Sequence, residues 1–191
     1  IFNLINGFSK EPMTEEDKTM INDFSAGKHT VKKIKVRELF DIKNNLSLDK
    51  SSLNFTPTSE YPYFTRTVFN NGIAGYVDYL DDEHLIKGNS IAVGLLQMQF
   101  FYMSHDFYTG QFTKTIFAKF DGFNEQIGLF FCVLFNKQSP KYSSVLVRDF
   151  DNTFYESEIE IPVDSEGKLD LDYIKKLMSA LKKNALQDLD L

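Results

Sequence analysis

The fold is decided by residues 63–77, YFTRTVFNNGIAGYV. β-Branched and aromatic residues lie on both sides of Asn71-Gly72 in this stretch. An Asn-Gly pair is the strongest short-range signal for a β-hairpin, because both central residues of a type I′ turn need positive φ. We therefore expect one strand over residues 62–68, a tight turn, and a second strand over residues 73–79.

Further strands are expected around this hairpin. Residues 31–36 alternate between polar and apolar side chains, which predicts a first strand. After the hairpin, GNSIAVG at residues 88–94 joins a Gly-Asn turn signal to an apolar strand. Short runs rich in β-branched and aromatic residues predict strands over residues 90–93, 112–120, 127–135 and 144–148. Alternation also fits a strand within 95–105, whereas the run from Glu125 fits a helix as well as a strand.

Helices are expected at both ends of this strand-rich region. Residues 1–30 form a lead-in with a short helix that Thr14 caps. Residues 169–191 carry apolar side chains at 3- and 4-residue spacing, which predicts a helix from Asp170 to about Leu189. The expected fold is α+β: a curved, mostly antiparallel β-sheet domain over residues 31–168, followed by a C-terminal α-helix.

Composition limits the classes of function. The 191 residues are 42% hydrophobic and 25% charged, as in an ordinary soluble domain, and no apolar run approaches the roughly 20 residues of a membrane helix. We expect a cytoplasmic protein that contacts no membrane, with Cys132 as a buried, reduced thiol. The net charge of −6 is unusual for a nucleic-acid binder, although residues 28–69 hold eight Lys/Arg against four Asp/Glu.

No pattern in the sequence predicts catalysis. Three histidines and one cysteine share no metal-ligand spacing, and no phosphate-binding loop is present, so we expect no metal and no cofactor. Asp151 with Glu166-Gly167-Lys168 imitates a nuclease pattern, but the Glu-Gly pair belongs to a turn rather than a strand. The segment SPKY at residues 139–142 resembles a methyltransferase motif in which the second proline is replaced by lysine.

Several segments, in this order, resemble the target recognition domain of type I restriction–modification specificity subunits and of the related type IIB and IIG enzymes. They are VRELFDI at residues 36–42, the hairpin with the glycine-bounded strand after it, the aromatic residues at 100–102 and 107, and IEIPV at 159–163 with the helix start after it. The resemblance covers about residues 32 to 183. It implies a non-catalytic chain that recognises one half of a bipartite DNA sequence. The implied partners are double-stranded DNA, an adenine methyltransferase subunit, a restriction subunit, and a second recognition domain or a second copy of the chain.

Candidate DNA contacts follow from residue chemistry, because Arg or Lys suits guanine in the major groove and Asn or Gln suits adenine. Arg66 is the first choice, and the alternative is an ion pair with Glu60 or Asp78 on an exposed sheet face. Lys137 and Lys141 suit phosphate, or else they belong to a solvated loop. The full set is Lys43, Asn44, Asn45, Thr65, Arg66, Thr67, Asn70, Gln97, Gln99, Tyr102, His105, Lys114, Lys137, Gln138, Lys141 and Tyr142.

The resemblance also implies a role for the C-terminal helix, which in the family pairs with its counterpart and docks methyltransferase subunits. The expected subunit interface comprises Leu171, Ile174, Leu177, Met178, Leu181 and Leu189. The alternative is a helix that packs on its own domain. Full specificity subunits hold two recognition domains and this sequence holds one, so a half-subunit, a fragment and part of a fused enzyme stay open. A non-catalytic β-rich module that binds protein or carbohydrate is the alternative function.

Overall fold

The computed structural model describes residues 11–187. These residues divide into two compact units, residues 33–159 and the segments 11–32 and 160–187 together. The strands, in chain order, are β1 Val31–Lys35, β2 Phe40–Asn44, β3 Tyr61–Phe64, β4 Ile73–Val77, β5 Ser90–Gly94, β6 Gln99–Met103, β7 Tyr108–Thr109, β8 Thr113–Ala118 and β9 Glu158–Pro162. The α-helices are α1 Glu15–Ser25, α2 Glu125–Lys137, α3 Ser139–Ser143, α4 Phe150–Tyr155 and α5 Leu171–Gln187, and 3-10 turns occupy Val36–Glu38, Lys50–Ser52, Phe69–Gly72 and Val147–Asp149.

The larger unit is built on a four-stranded antiparallel sheet in the order β2-β8-β5-β6. One face of this sheet packs under α2 and α4 through aromatic side chains. The ring of Phe100 on β6 lies 5.4 Å from the Phe135 ring and 5.9 Å from the Phe154 ring, and all three side chains are buried. Such ring pairs add to the burial of apolar area, so this aromatic layer is a main source of stability.

The opposite face of the four-stranded sheet packs against a second sheet in the order β4-β3-β7. Phe64 of β3 is fully buried in one cluster with Ala92, Met103 and Phe107. β3 runs antiparallel to β4 and parallel to β7. The unit therefore has three layers, with helices, a four-stranded sheet and a three-stranded sheet, which confirms the predicted α+β class with mostly antiparallel strands.

The β3–β4 hairpin is confirmed, but its connection is longer than predicted. β3 ends at Phe64 rather than at residue 68, and positive φ begins one residue early, at Asn70 (49°) and Asn71 (53°), before Gly72 (80°). Tertiary packing explains the glycine, since a Cβ at Gly72 would lie 2.2 Å from Cε2 of the buried Phe64 ring. Gly72 thus serves ring packing as well as the left-handed backbone.

Two predicted strands are wrong. Residues 127–135 belong to α2, where the Asn124 side chain caps the helix by accepting a hydrogen bond from the Ile127 N–H at 3.1 Å. Residues 144–148 form no strand and lead through a 3-10 turn into α4. A short apolar run cannot by itself distinguish a buried strand from a buried helix. The ambiguous 95–105 segment supplies β6.

The smaller unit pairs α1 with α5. Lys183 of α5 donates to the Asp17 carboxylate of α1 at 2.9 Å, and Thr14 and Asp17 form a reciprocal capping box at the start of α1. Hydrogen bonds from the Thr14 backbone and then from Lys183 lower the pKa of Asp17 to about 2. This carboxylate therefore stabilises the fold fully above its unfolded pKa, and the stabilisation is lost as the pH falls toward 2.

Replacing Thr14 tests this cap. We expect Thr14→Ala to lower the free energy of unfolding by about 1 kcal/mol, because the Asp17 N–H loses its acceptor at 3.1 Å. Urea unfolding followed by circular dichroism measures the change. Thr19→Ala is the control, since Thr19 lies inside α1, where alanine is a better helix former. Equal stabilities for Thr14→Ala and the wild type would contradict the prediction.

Candidate nucleic-acid interface

A cleft of about 680 Å³ opens beside the β3–β4 hairpin in the larger unit. Its walls come from residues 48–50, from residues 65–67 and Phe69 of the hairpin connection, and from residues 110–111. Tyr63, Ile73 and Ala74 of the two strands complete the lining. The cleft therefore joins three segments that are distant in sequence and that carry both polar and apolar side chains.

Arg66 presents the main charged group of the hairpin side. Its guanidinium lies over the Phe112 ring, with 5.5 Å from Cζ to the ring centroid. Its backbone is held close to the four-stranded sheet, because a Cβ at Gly94 would lie 2.7 Å from the Arg66 Cα. A cation–π contact orients a guanidinium while leaving its N–H donors available.

The predicted alternative for Arg66, an ion pair with Glu60 or Asp78, is absent from the described residues. Asp78 instead accepts a hydrogen bond from the Ser59 hydroxyl at 2.9 Å. Within residues 11–187 no carboxylate lies within ion-pair distance of Arg66. The side chain is exposed, so its donors face solvent and can bind a ligand.

The hairpin connection is shaped by its own polar groups. The Thr65 N–H donates to the Gly72 carbonyl at 2.8 Å, the Phe69 N–H donates to the Thr67 hydroxyl at 3.3 Å, and the Asn70 amide donates to the Ile73 carbonyl at 3.2 Å. Thr65, Thr67 and Asn70 were predicted as DNA contacts. The structure gives each of them a hydrogen bond that fixes the connection.

The facing wall contributes Lys50, which sequence analysis did not select. The Tyr63 hydroxyl holds this wall by donating to the Leu48 carbonyl at 2.8 Å. The Asp49 carboxylate accepts hydrogen bonds from the N–H and the hydroxyl of Ser51, and these bonds lower the pKa of the Asp49 carboxyl. Lys50 is exposed, with Nζ 5.8 Å from the Phe55 ring centroid, so this wall presents a cation to the cleft.

The end of β2 carries three predicted residues with different environments. Lys43 is exposed and lies over the Phe117 ring, with Nζ 4.8 Å from the ring centroid. Asn44 is exposed. Asn45 donates to the Thr113 hydroxyl at 3.2 Å and accepts from Thr115 at 2.8 Å, so both polar atoms of its side chain are used within the fold.

Other predicted residues lie on the helical side of the four-stranded sheet. Lys114 pairs with Asp151 of α4, and the Tyr102 hydroxyl donates to the Asn89 side chain at 3.0 Å. Tyr142 is fully buried and bonds the Ser157 hydroxyl at 2.9 Å, so it is a core residue without a surface for a ligand. These three do not line the cleft.

The remaining predicted residues also lie outside the cleft lining. Lys137 and Lys141 are exposed where α2 and α3 meet, and the Gln138 amide next to them donates to the Glu158 carbonyl at 2.9 Å. Gln97 and His105 are exposed in the connections that flank β6, and Gln99 is half-buried within that strand.

The residues that sequence analysis missed are Lys50, Phe69, Gln111 and Phe112. Phe112 is marked out by its positive φ of 58°, which is unusual for a residue other than glycine. This feature is visible in the structure but not in the sequence. Nothing in the local sequence of the other three distinguishes them from ordinary loop residues.

Some of the residues expected to form a subunit interface on α5 are buried within the smaller unit itself. Ile174 and Leu177 are fully buried, while Leu171, Met178 and Leu181 are half-buried. Leu189 lies outside the described residues. Of the five predicted interface residues that the structure describes, Leu171, Met178 and Leu181 are the ones that retain accessible surface for a further contact.

Residues 11–187 hold no helix long and apolar enough to cross a membrane. The same residues contain no group of three His, Cys, Asp or Glu side chains placed to bind a metal ion. Cys132 is free and buried, and burial raises the pKa of its thiol.

Comparison with known proteins identifies solved structures whose fold is similar to that of this chain. Solved structures with a similar fold include the S subunit of a type I restriction–modification system from M. genitalium (17% identity, TM-score 0.53) and the HsdS subunit from Thermoanaerobacter tengcongensis (12% identity, TM-score 0.56). Both matches cover 84% of this chain and 40% of the other chain. A third comes from work on complex assembly and conformational transition of the type I R-M system, with 11% identity, a TM-score of 0.58, and coverage of 91% and 45%.

The chain thus spans less than half the length of these structural relatives. No curated protein matches its sequence. A family model, however, described as the type I restriction modification DNA specificity domain, matches residues 28–191, which is most of the chain. The chain therefore belongs to the family of type I restriction–modification DNA specificity domains.

Proposed function

We propose that this chain recognises one half of a bipartite DNA sequence for a restriction–modification complex and that the cleft is its main contact with the bases. The observation that carries the proposal is the exposed Arg66 guanidinium, held over Phe112 without a carboxylate partner among the described residues, in a chain of the DNA specificity family. A free and oriented guanidinium matches the O6 and N7 acceptors of guanine bidentately.

The charges of the chain suit a DNA-recognition domain that depends on partner subunits for part of its affinity for DNA. Lys50 is an exposed cation on the cleft wall and Lys43 is an exposed cation on β2, and each can neutralise a phosphate. The net charge of −6 limits non-specific binding, which scales with the number of phosphates neutralised. We infer that this chain makes the base contacts and that its partners make many of the contacts with the phosphate backbone of the DNA.

The proposed partners are double-stranded DNA, an adenine methyltransferase subunit and a restriction subunit, with a second recognition domain or a second copy for the other half-site. In this proposal the chain directs chemistry that its partners perform, and it acts in the cytoplasm. Residues 31–168 are the recognition domain, residues 1–30 are the lead-in, and residues 169–191 are the segment whose helix, Leu171–Gln187, contacts other subunits. The half-buried Leu171, Met178 and Leu181 support that role for the helix.

Methylated-base sequencing tests the proposal. The intact gene is expressed with its neighbouring methyltransferase in a host without that methylation, and the methyltransferase is also expressed alone. We expect an interrupted adenine-methylated motif that appears only when this chain is present. An active methyltransferase and well-expressed chain without any chain-dependent motif would overturn the proposal.

A further inference from the structure

Phe69 is the most unusual side chain at the cleft. It is 79% exposed, the largest exposed fraction among the large apolar side chains within residues 11–187. It lines the cleft with Arg66, and Val68 next to it is also exposed. An apolar ring held in water forgoes the free energy of burial, so its position calls for an explanation.

The backbone holds this ring outward in a defined way. Phe69 directly precedes the left-handed Asn70, Asn71 and Gly72, and two of those are non-glycine residues in a sparsely populated conformation. The Phe69 N–H is bonded to Thr67, and Gly72 is seated on the buried Phe64 ring. The backbone is therefore anchored on both sides of Phe69, so it loses little freedom when the ring binds.

We propose that Phe69 is a wedge that enters the base stack of the duplex and opens one base-pair step beside the pair that Arg66 reads. The inference rests on the proposed function. DNA is the favoured occupant because Phe69 lines the same cleft as the exposed cations Arg66 and Lys50, whose N–H groups are donors for phosphates and base edges. Apolar wedges beside such donors are a recurrent way to unstack and kink DNA.

The wedge has a defined reach. Phe69 lies three positions after Arg66, so the two Cα atoms are at most about 10 Å apart. With about 3.4 Å per base pair along the helix axis, two side chains that leave the backbone in the same direction reach positions within about three base pairs of each other. Pyrimidine–purine steps unstack most easily, so we expect a TA or CA/TG step inside that distance.

The test uses the full chain with its methyltransferase and a duplex that carries the motif found by methylated-base sequencing. 2-Aminopurine replaces, one position at a time, each adenine within three base pairs of the guanine read by Arg66. We expect a several-fold rise in fluorescence at one position with the wild type, a partial rise with Phe69→Leu, and none with Phe69→Ala. We also expect Phe69→Ala to weaken binding about tenfold on the intact duplex but less than about twofold when a mismatch already opens that step.

Val133→Ala is the matched control, because Val133 is 62% exposed on α2 at the helical side of the sheet. It should keep the wild-type fluorescence and affinity. An equal fluorescence rise with Phe69→Ala and wild type would overturn the wedge while leaving DNA recognition intact. Loss of methyltransferase assembly by Phe69→Ala, with unchanged fluorescence per bound complex, would assign the ring to a protein contact. A wild-type complex that binds no duplex would overturn the wedge and the proposed function together.

Discussion

Arg66→Ala should remove the preference for one base pair of the recognised half-site. A bidentate Arg–guanine contact contributes about 1–3 kcal/mol of discrimination, so the ratio between guanine and the other bases should fall roughly 5- to 150-fold at that position. The other positions of the motif should keep their preferences, because contacts at separated base pairs are roughly additive. Competition binding with single-base variants of the motif measures the effect, and methylated-base sequencing shows it as a relaxed position.

Arg66→Lys separates charge from geometry. It keeps the cation near Phe112 but lacks the planar fork, so we expect affinity for non-cognate sequences close to wild type, with the preference for guanine still reduced. Arg148→Ala is the control, since Arg148 is also an exposed arginine but belongs to the 3-10 turn before α4. An Arg66→Ala motif identical to the wild-type motif would remove Arg66 from base recognition. Affinity that drops equally for all sequences would make it a phosphate contact.

The sequence predicted the fold well where local chemistry decides it. The β3–β4 hairpin, the cap of α1 and the amphipathic α5 all follow from turn, capping and periodicity rules. The family resemblance supplied the order of the pieces. The prediction failed for residues 127–135, because a run of nine mostly apolar residues satisfies both a buried strand and a helix that packs one face on a sheet.

The cleft could be predicted only in part. Arg66 was found by residue type, but Phe112 under its guanidinium and Lys50 on the facing wall come from segments that are brought together only by the order of the strands. Tyr142 shows the opposite failure. A solvated loop was one expectation for this segment, whereas Pro140 lies in the first turn of α3 and Tyr142 is buried in the core. Burial of a tyrosine depends on tertiary contacts, which the sequence pattern does not contain.

Phe100→Ala should have the largest effect on stability. The side chain is 1% exposed and touches the rings of Phe135, Phe150 and Phe154. Truncating a buried Phe to Ala costs about 3–5 kcal/mol, a large part of the roughly 5–15 kcal/mol that stabilises an ordinary domain. We expect the urea midpoint, followed by circular dichroism, to fall accordingly. Leu146→Ala, at a side chain that is 58% exposed, should change stability by less than about 0.5 kcal/mol.

The effect of Phe100→Ala on stability and the effect of Arg66→Ala on base preference should be independent of each other. Phe100 lies on the sheet face that packs under the helices, whereas Arg66 lines the cleft on the hairpin side. At low temperature, the folded fraction of Phe100→Ala should therefore keep the wild-type base preference, and Arg66→Ala should keep the wild-type urea midpoint. A changed preference in folded Phe100→Ala would mean that the aromatic layer also sets the shape of the cleft. In that case base recognition would depend on the whole three-layer unit rather than on the hairpin connection and its immediate neighbours.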